Sequence, residues 1–210
     1  MFAKSASLLA LLVVVLLQEV TGNAVSAGEL ARRQSSSSTT ITTFTEKWSE
    51  VSTYFSDCRN TFQSTTSYEV AIKSVDTLYQ RCQPVATSYA SCAGCASVAQ
   101  SSSNQVATFQ QSIQRSFTTW QEIIKIGKSR FSDRWQSDFA PSFARFDVVV
   151  KAANSACSSL NLKLDVLLKG LRLDLNLFLG ININLGGILG IVGSLLGGIL
   201  GRREVQLLEE

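Results

Sequence analysis

Between Ile41 and Leu160 apolar side chains recur every three or four positions, a spacing that only an α-helix gathers onto one face. Phe44, Trp48, Val51, Phe55, Cys58 and Phe62 form the first stripe. Tyr68, Ile72, Val75, Tyr79 and Cys82 form a second, and Val85, Tyr89, Cys92, Ala96 and Ala99 a third with smaller side chains. Val106, Phe109, Ile113, Phe117, Trp120 and Ile124 make the longest, continued past Gly127 by Phe131 and Trp135. Phe143, Phe146, Val150, Ala153, Cys157 and Leu160 close the series. Thr43-x-x-Glu46, Thr66-x-x-Glu69 and Ser102-x-x-Gln105 fit capping boxes, and Pro141 suits a first helical turn. Pro84 reads as the break between the second and third helices. The pattern predicts a mainly α fold over residues 44–160, a disulfide-stabilised bundle of about five helices with the aromatic residues in its core.

Composition narrows the function. The chain has no His, which removes the Ser-His-Asp triad, Cys-His nucleophiles, His-ligated metals and the usual near-neutral proton shuttle. Paired carboxylates such as Asp133 and Asp138 are what remains for acid–base work, and their spacing suggests surface charge. No catalytic residue, metal ligand or cofactor is expected. Lys125, Lys128, Arg130 and Arg134 form a local basic run interleaved with Phe131 and Trp135. A solvated helix face is preferred there to contact with anionic lipid or polysaccharide. A net charge of only +3 and the lack of any recognition motif argue against nucleic acid.

The first forty residues read as processing signals. Lys4 precedes an unbroken apolar run from Leu8 to Leu17, followed by small residues, which predicts a signal peptide over 1–27. That run is too short to span a hydrocarbon core of ~30 Å. Arg32-Arg33 ends a propeptide at 28–33, and residues 34–43, almost entirely Ser and Thr, suggest a disordered or O-glycosylated spacer. The arrangement resembles the Kex2-type pre-pro leaders of fungal small secreted proteins. The resemblance covers residues 1–40 only, and implies secretion with a mature chain starting at Gln34.

An extracellular route makes disulfides the default use of the five Cys. If the third helix returns after Pro84 parallel to the first, Cys95 (or Cys92) lies level with Cys58, which leaves Cys82 for Cys157. Cys92 is then a free thiol or the link of a covalent homodimer. A thioredoxin-like Cys92/Cys95 pair lacks a βαβ setting, and a zinc site built from four cysteines lacks a second CxxC.

After Cys157 the period changes. Leu160–Val166 and Leu171–Leu185 alternate apolar with other residues, a period of two that predicts β-strands with one apolar face, hinged at Lys169-Gly170. From Gly186 the chain reads GGILGIVGSLLGGILG, where Gly186, Gly190, Gly193, Gly197 and Gly201 resemble a glycine zipper. Residues 161–201 thus form a hydrophobic Gly-rich tail, and 202–210 a charged C-terminus. Three readings stand open. The tail associates with a lipid membrane, an apolar surface or itself; it is a transmembrane helix near 178–201 with Arg202-Arg203 as its flank; or it packs back on the bundle. Arg202-Arg203 also reads as a second dibasic cleavage site. The first is preferred, giving a secreted, non-enzymatic helical protein with an effector-like or cell-surface role. Membrane anchoring through the tail is its alternative, and a small apolar ligand held in the bundle core is a further one.

Overall fold

The computed structural model describes residues 27–188, with side chains over 40–187. The chain forms two units, residues 1–36 and 37–210. Of the first, only the helical backbone from Ala27 falls within the described residues. Helix α1 spans Ala27–Ser64, so Arg32, Arg33 and the Ser/Thr-rich residues 34–43 have helical backbone where a flexible spacer is the compositional expectation. The expected helix start at Thr43 is therefore internal to α1. Ile41, Phe44, Trp48, Val51, Phe55, Cys58 and Phe62 are each at most 3% exposed, which fixes the inner face of this helix.

Ser67 opens α2, Tyr68–Ser88, by accepting from the Val70 N–H, so the cap lies one residue beyond the Thr66 expected from sequence. Its core stripe is Ala71, Val75, Leu78 and Cys82. Tyr68, Ile72 and Tyr79 border that core half-buried, so the helix is rotated by about one residue from the stripe the aromatics suggest. Arg81 pairs with Asp57 at 2.8 Å and the Trp48 indole donates to the Tyr89 carbonyl at 2.9 Å, which makes α1 and α2 an antiparallel pair.

Pro84 does not break α2. It lies in the last turns, where the helix continues to Ser88 and ends with the Tyr89 N–H on the Val85 carbonyl. The expected third helix over 85–99 is replaced by an irregular segment and a single turn, α3, Cys95–Val98. Gly94 before it has φ 77°, a left-handed backbone that suits glycine.

Helix α4, Ser103–Arg130, buries Phe109, Ile113, Phe117, Trp120, Ile123 and Ile124. Gly127 lets it close on its neighbours: a Cβ there would collide with the Trp135 ring and lie 2.9 Å from Phe62 Cε1. A short helix α5, Ser132–Arg134, a π-turn at Trp135–Phe139 and α6, Ala140–Ala144, follow. The π-turn brings Trp135 and Phe139 into stacked contact, ring centres 5.5 Å apart. Helix α7, Asp147–Ser159, completes the body with Val149, Val150, Ala153 and Cys157 inward. The aromatic rings form a connected core, with Trp120 touching Phe55, Phe117, Phe143 and Phe146.

Beyond α7 there is no strand among the described residues. Three short helices occupy the segment predicted to be β: α8, Leu164–Lys169; α9, Leu175–Leu179; and α10, Leu185–Ile188. They pack back onto the body, with Leu160, Leu164, Leu168, Phe178, Ile181, Ile183 and Leu185 each at most 2% exposed.

Candidate functional site

The C-terminal segment is built from one unit used three times. Each unit begins with an apolar residue, then a polar residue in the left-handed region, an apolar residue, a polar helix-entry residue, and Leu as first helical residue. Leu160-Asn161-Leu162-Lys163-Leu164, Leu171-Arg172-Leu173-Asp174-Leu175 and Ile181-Asn182-Ile183-Asn184-Leu185 are the three copies. Asn161, Arg172 and Asn182 have φ of 57°, 48° and 60°. After α7, the Leu162 N–H reaches back to the Cys157 carbonyl at 2.9 Å, and the Asn161 N–H to Ser158 at 3.1 Å. After α9, Ile183 and Asn182 repeat those bonds to Phe178 and Leu179, both at 2.9 Å. This is the Schellman ending, in which the residue after the left-handed one is apolar and packs back on the helix it terminates. Two of the helix entries are capped by side chains: Asp174 accepts from the Asn176 N–H at 3.0 Å, and Asn184 from the Gly187 N–H at 3.1 Å. Lys163, at the corresponding place, has no side-chain cap bond.

Helix α4 carries these units on one flank. Gln114 donates to the Leu167 carbonyl at 3.4 Å, and Gln121, two turns along, accepts from the Asp174 N–H at 2.6 Å. Phe178 stands edge-on to Trp120 with ring centres 5.3 Å apart. The middle unit is the least covered. Leu171, Leu173, Leu175, Leu177 and Leu179 are half-buried, and Val166 in the preceding helix is 60% exposed. Of the glycines expected to zip helices together, Gly186 is buried at the start of α10. Gly190, Gly193, Gly197, Gly201, Arg202 and Arg203 lie outside the described residues. No described helix is long and apolar enough to cross a membrane. The run from Phe178 is interrupted at Gly180–Asn184, so no continuous helix starts at Phe178.

The cysteines differ from expectation. Cys92 pairs with Cys95, while Cys58, Cys82 and Cys157 are buried thiols. Because α2 runs through Pro84, its end lies beside Trp48, about 15 Å along α1 from Cys58 at 1.5 Å per residue. Cys92 and Cys95 lie beyond it, beside the end of α7: the Cys92 N–H meets Ser159 Oγ at 3.1 Å, and Asn161 Nδ2 meets the Ala96 carbonyl at 3.5 Å. Cys58 meets Ser74 Oγ instead, at 3.5 Å, near the opposite end of α2. The Tyr79 ring lies 5.4 Å from Phe146, so Cys157 falls about 12 Å beyond the level of Cys82 along α7. Neither Cys58–Cys95 nor Cys82–Cys157 is formed, and the thiol left over is not Cys92. Burial pushes the Cys58 and Cys157 thiols up to about 12 and raises Cys82 as well.

The basic run separates into different environments. Arg130 donates to the Phe62 and Thr65 carbonyls at 2.9 and 3.0 Å, closing the end of α1. Arg134 lies over the Tyr68 ring and pairs with Asp138 at 3.7 Å. Asp138 also accepts from the Tyr68 hydroxyl at 2.6 Å, which lowers its pKa and gives this carboxylate a structural position. Phe131 and Trp135 are core residues. Lys125 and Lys128 are exposed, with no ion pair or hydrogen bond among the described residues.

Two other features are weaker candidates. An open groove of about 770 Å3 runs between α1 and α4, bordered by Glu46, Glu50, Thr53, Gln111 and Arg115. Its inner hydroxyls are already bonded within the helices and across the seam, Ser49 Oγ to Ser112 Oγ at 2.8 Å. Inside the bundle, a void beside Trp48, Phe55, Ile113 and Trp120 measures about 10 Å3, room for no more than about one water. That void cannot hold a fatty acid or sterol. No protein-family model, curated protein or solved structure matches the chain.

Proposed function

We propose that this is an exported, non-enzymatic helical protein whose C-terminal segment associates with a membrane, an apolar surface or a second copy of itself. The observation that carries the reading is the incomplete covering of the middle unit, where Leu171, Leu173 and Leu175 are only partly buried against the body while Leu160, Leu164, Ile181, Ile183 and Leu185 of the other units are buried. Apolar side chains left incompletely covered along one stretch offer a place for association. The sequence from Gly186 onward, dominated by Gly, Ile and Leu, supports the same reading. Export rests on the leader, with Lys4, the Leu8–Leu17 run and Arg32-Arg33 in the order a secretory route uses.

Flotation with phosphatidylcholine vesicles and sedimentation of the vesicle-free protein test this on the full chain and on a chain lacking residues 189–201. The full chain is expected to float or to sediment as an oligomer, and the deletion to do either at least tenfold less. A full chain that is monomeric and does not float overturns the reading. Carbonate-resistant membrane protein in the producing host, with its last residues shielded from protease, would replace it with a single-pass membrane protein.

A further inference from the structure

We propose that the Cys92–Cys95 bridge is a reducible clasp, which a small dithiol opens in the folded protein to free the connection between α2 and α4.

The connection has little else to hold it. Between Ala90 and Ser102 the single turn α3 is the only helix, and the buried side chains are Cys92, Cys95 and Ala99, with Ala90 and Val98 partly covered. Most of the remainder is exposed Ser, Ala, Gly and Gln. The Cys95 N–H reaches the Cys92 carbonyl across left-handed Gly94 at 3.3 Å, and the Ser102 N–H reaches Ala99 at 3.3 Å, both long for backbone bonds. Ordering such a stretch costs entropy that few contacts offset. The bridge, with its Cα atoms 5.5 Å apart, is the covalent tie within it.

The bridged turn also grips a neighbour. The Cys92 N–H donates to Ser159 Oγ at 3.1 Å, and the Ala96 carbonyl accepts from Asn161 Nδ2 at 3.5 Å. Both contacts come from the ends of that turn, and both fall where the C-terminal segment leaves α7. Loosening the turn therefore loosens Ser159 and Asn161.

The sulfurs are sorted so that reduction stays at this pair. Cys92 is 8% exposed and Cys95 fully buried, while Ser91, Ala93 and Gly94 around them are small and exposed. Cys58, Cys82 and Cys157 are thiols inside the core, none more than 3% exposed. A thiolate arriving from solvent meets the Cys92 sulfur first, bonds to it, and expels Cys95 as the leaving thiolate. The second thiol of the reagent then attacks its own sulfur in the mixed disulfide, and Cys92 leaves. Two electrons and two protons pass from the dithiol, now a cyclic disulfide, to the two cysteines. A bridge that closes so short a loop adds little to folding, so by linkage the fold resists its opening only weakly.

The full chain, purified without reductant, is titrated with dithiothreitol under native conditions, quenched with a maleimide and mapped by peptide mass. Cys92 and Cys95 are expected to label together, with Cys58, Cys82 and Cys157 unlabelled and the helical circular dichroism unchanged. Proteinase K cleavage between Tyr89 and Ser102 should then rise about tenfold, and the Asn161 amide should lose exchange protection. The double variant Cys92→Ser, Cys95→Ser should match the reduced wild type without dithiothreitol; the titration of the wild type stands as the test whether or not that variant folds. Labelling of all five cysteines at once, or labelling only in denaturant, overturns the clasp. Selective reduction with cleavage and exchange unchanged overturns it as well, leaving a passive bond. So does a chain in which Cys92 and Cys95 label before any dithiothreitol is added.

Discussion

At the scale of single residues, Gly127 and Arg172 are positions where backbone or side chain is under unusual demand. Gly127 is there for lack of a side chain, because the Trp135 and Phe62 rings occupy the space a methyl would need. Those rings are themselves wedged against Phe139 and Phe131, so none can swing away. Gly127→Ala should destabilise by about 1–3 kcal/mol. Gly170→Ala, where nothing lies within 4 Å of the added carbon, should be close to neutral. Thermal unfolding of the two variants measures the difference, and equal melting temperatures would contradict the packing described. Arg172 carries a conformational penalty of about 1 kcal/mol that Asn161 and Asn182 largely avoid. The basic run shows where sequence spacing stops informing: Arg130 and Lys128 lie two residues apart, yet one closes a helix end and the other faces solvent.

At the scale of elements, the C-terminal units explain how a helical segment came to look like a strand. A Schellman ending needs an apolar residue just past the left-handed one, and the next helix needs a polar entry residue followed by an apolar one. Placed head to tail these demands write apolar–polar–apolar–polar–apolar, the same period of two that a half-buried strand writes. Ile181 to Leu185 is such a string, and Asn182 in it is left-handed rather than extended. The caps carry a prediction. Asp174 and Asn184 accept bonds from the turns they open, and Lys163 has no oxygen with which to do so. Lys163→Asp should stabilise by about 1 kcal/mol, raising the melting temperature by roughly 2–4 °C. A fall, or no change, would mean that α8 is not entered at Leu164.

At the scale of the whole molecule, the arrangement of α2 and α7 decides the cysteine chemistry. A bridge between Cys92 and Cys95 closes a loop so short that it contributes only about 2 kcal/mol, less than the longer bridges expected from sequence. The aromatic core therefore carries most of the stability, and three thiols are sealed inside it. Under non-reducing conditions a maleimide should leave the folded protein unlabelled, and after unfolding should label Cys58, Cys82 and Cys157 alone. Peptide mapping that joined Cys58 to Cys95 would contradict the fold. The same thiols set a pH dependence. Burial raises Cys58 and Cys157 from 9.0 to about 12, so their contribution to stability is complete below pH 9.0. It is lost as pH rises from there toward about 12, because the unfolded thiols ionise first. Denaturant midpoints measured across that range should fall steadily, and a flat profile would place these thiols at the surface.

What residue order by itself determined is the part governed by local periodicity. The inward stripe of α1 and the aromatic core of α4 follow from one residue's distance to the next along a helix, and both are where that spacing places them. Only tertiary structure decided the rest. A proline in a last turn stops a helix or is tolerated according to what the far end packs against, and the Tyr89 carbonyl on the Trp48 indole tipped that balance. The alternating leucines became helix junctions rather than strands because the flank of α4 offered Gln114, Gln121 and Trp120 to pack against, and no neighbouring strand. Those contacts join residues more than fifty positions apart, and no local pattern in the chain encodes them.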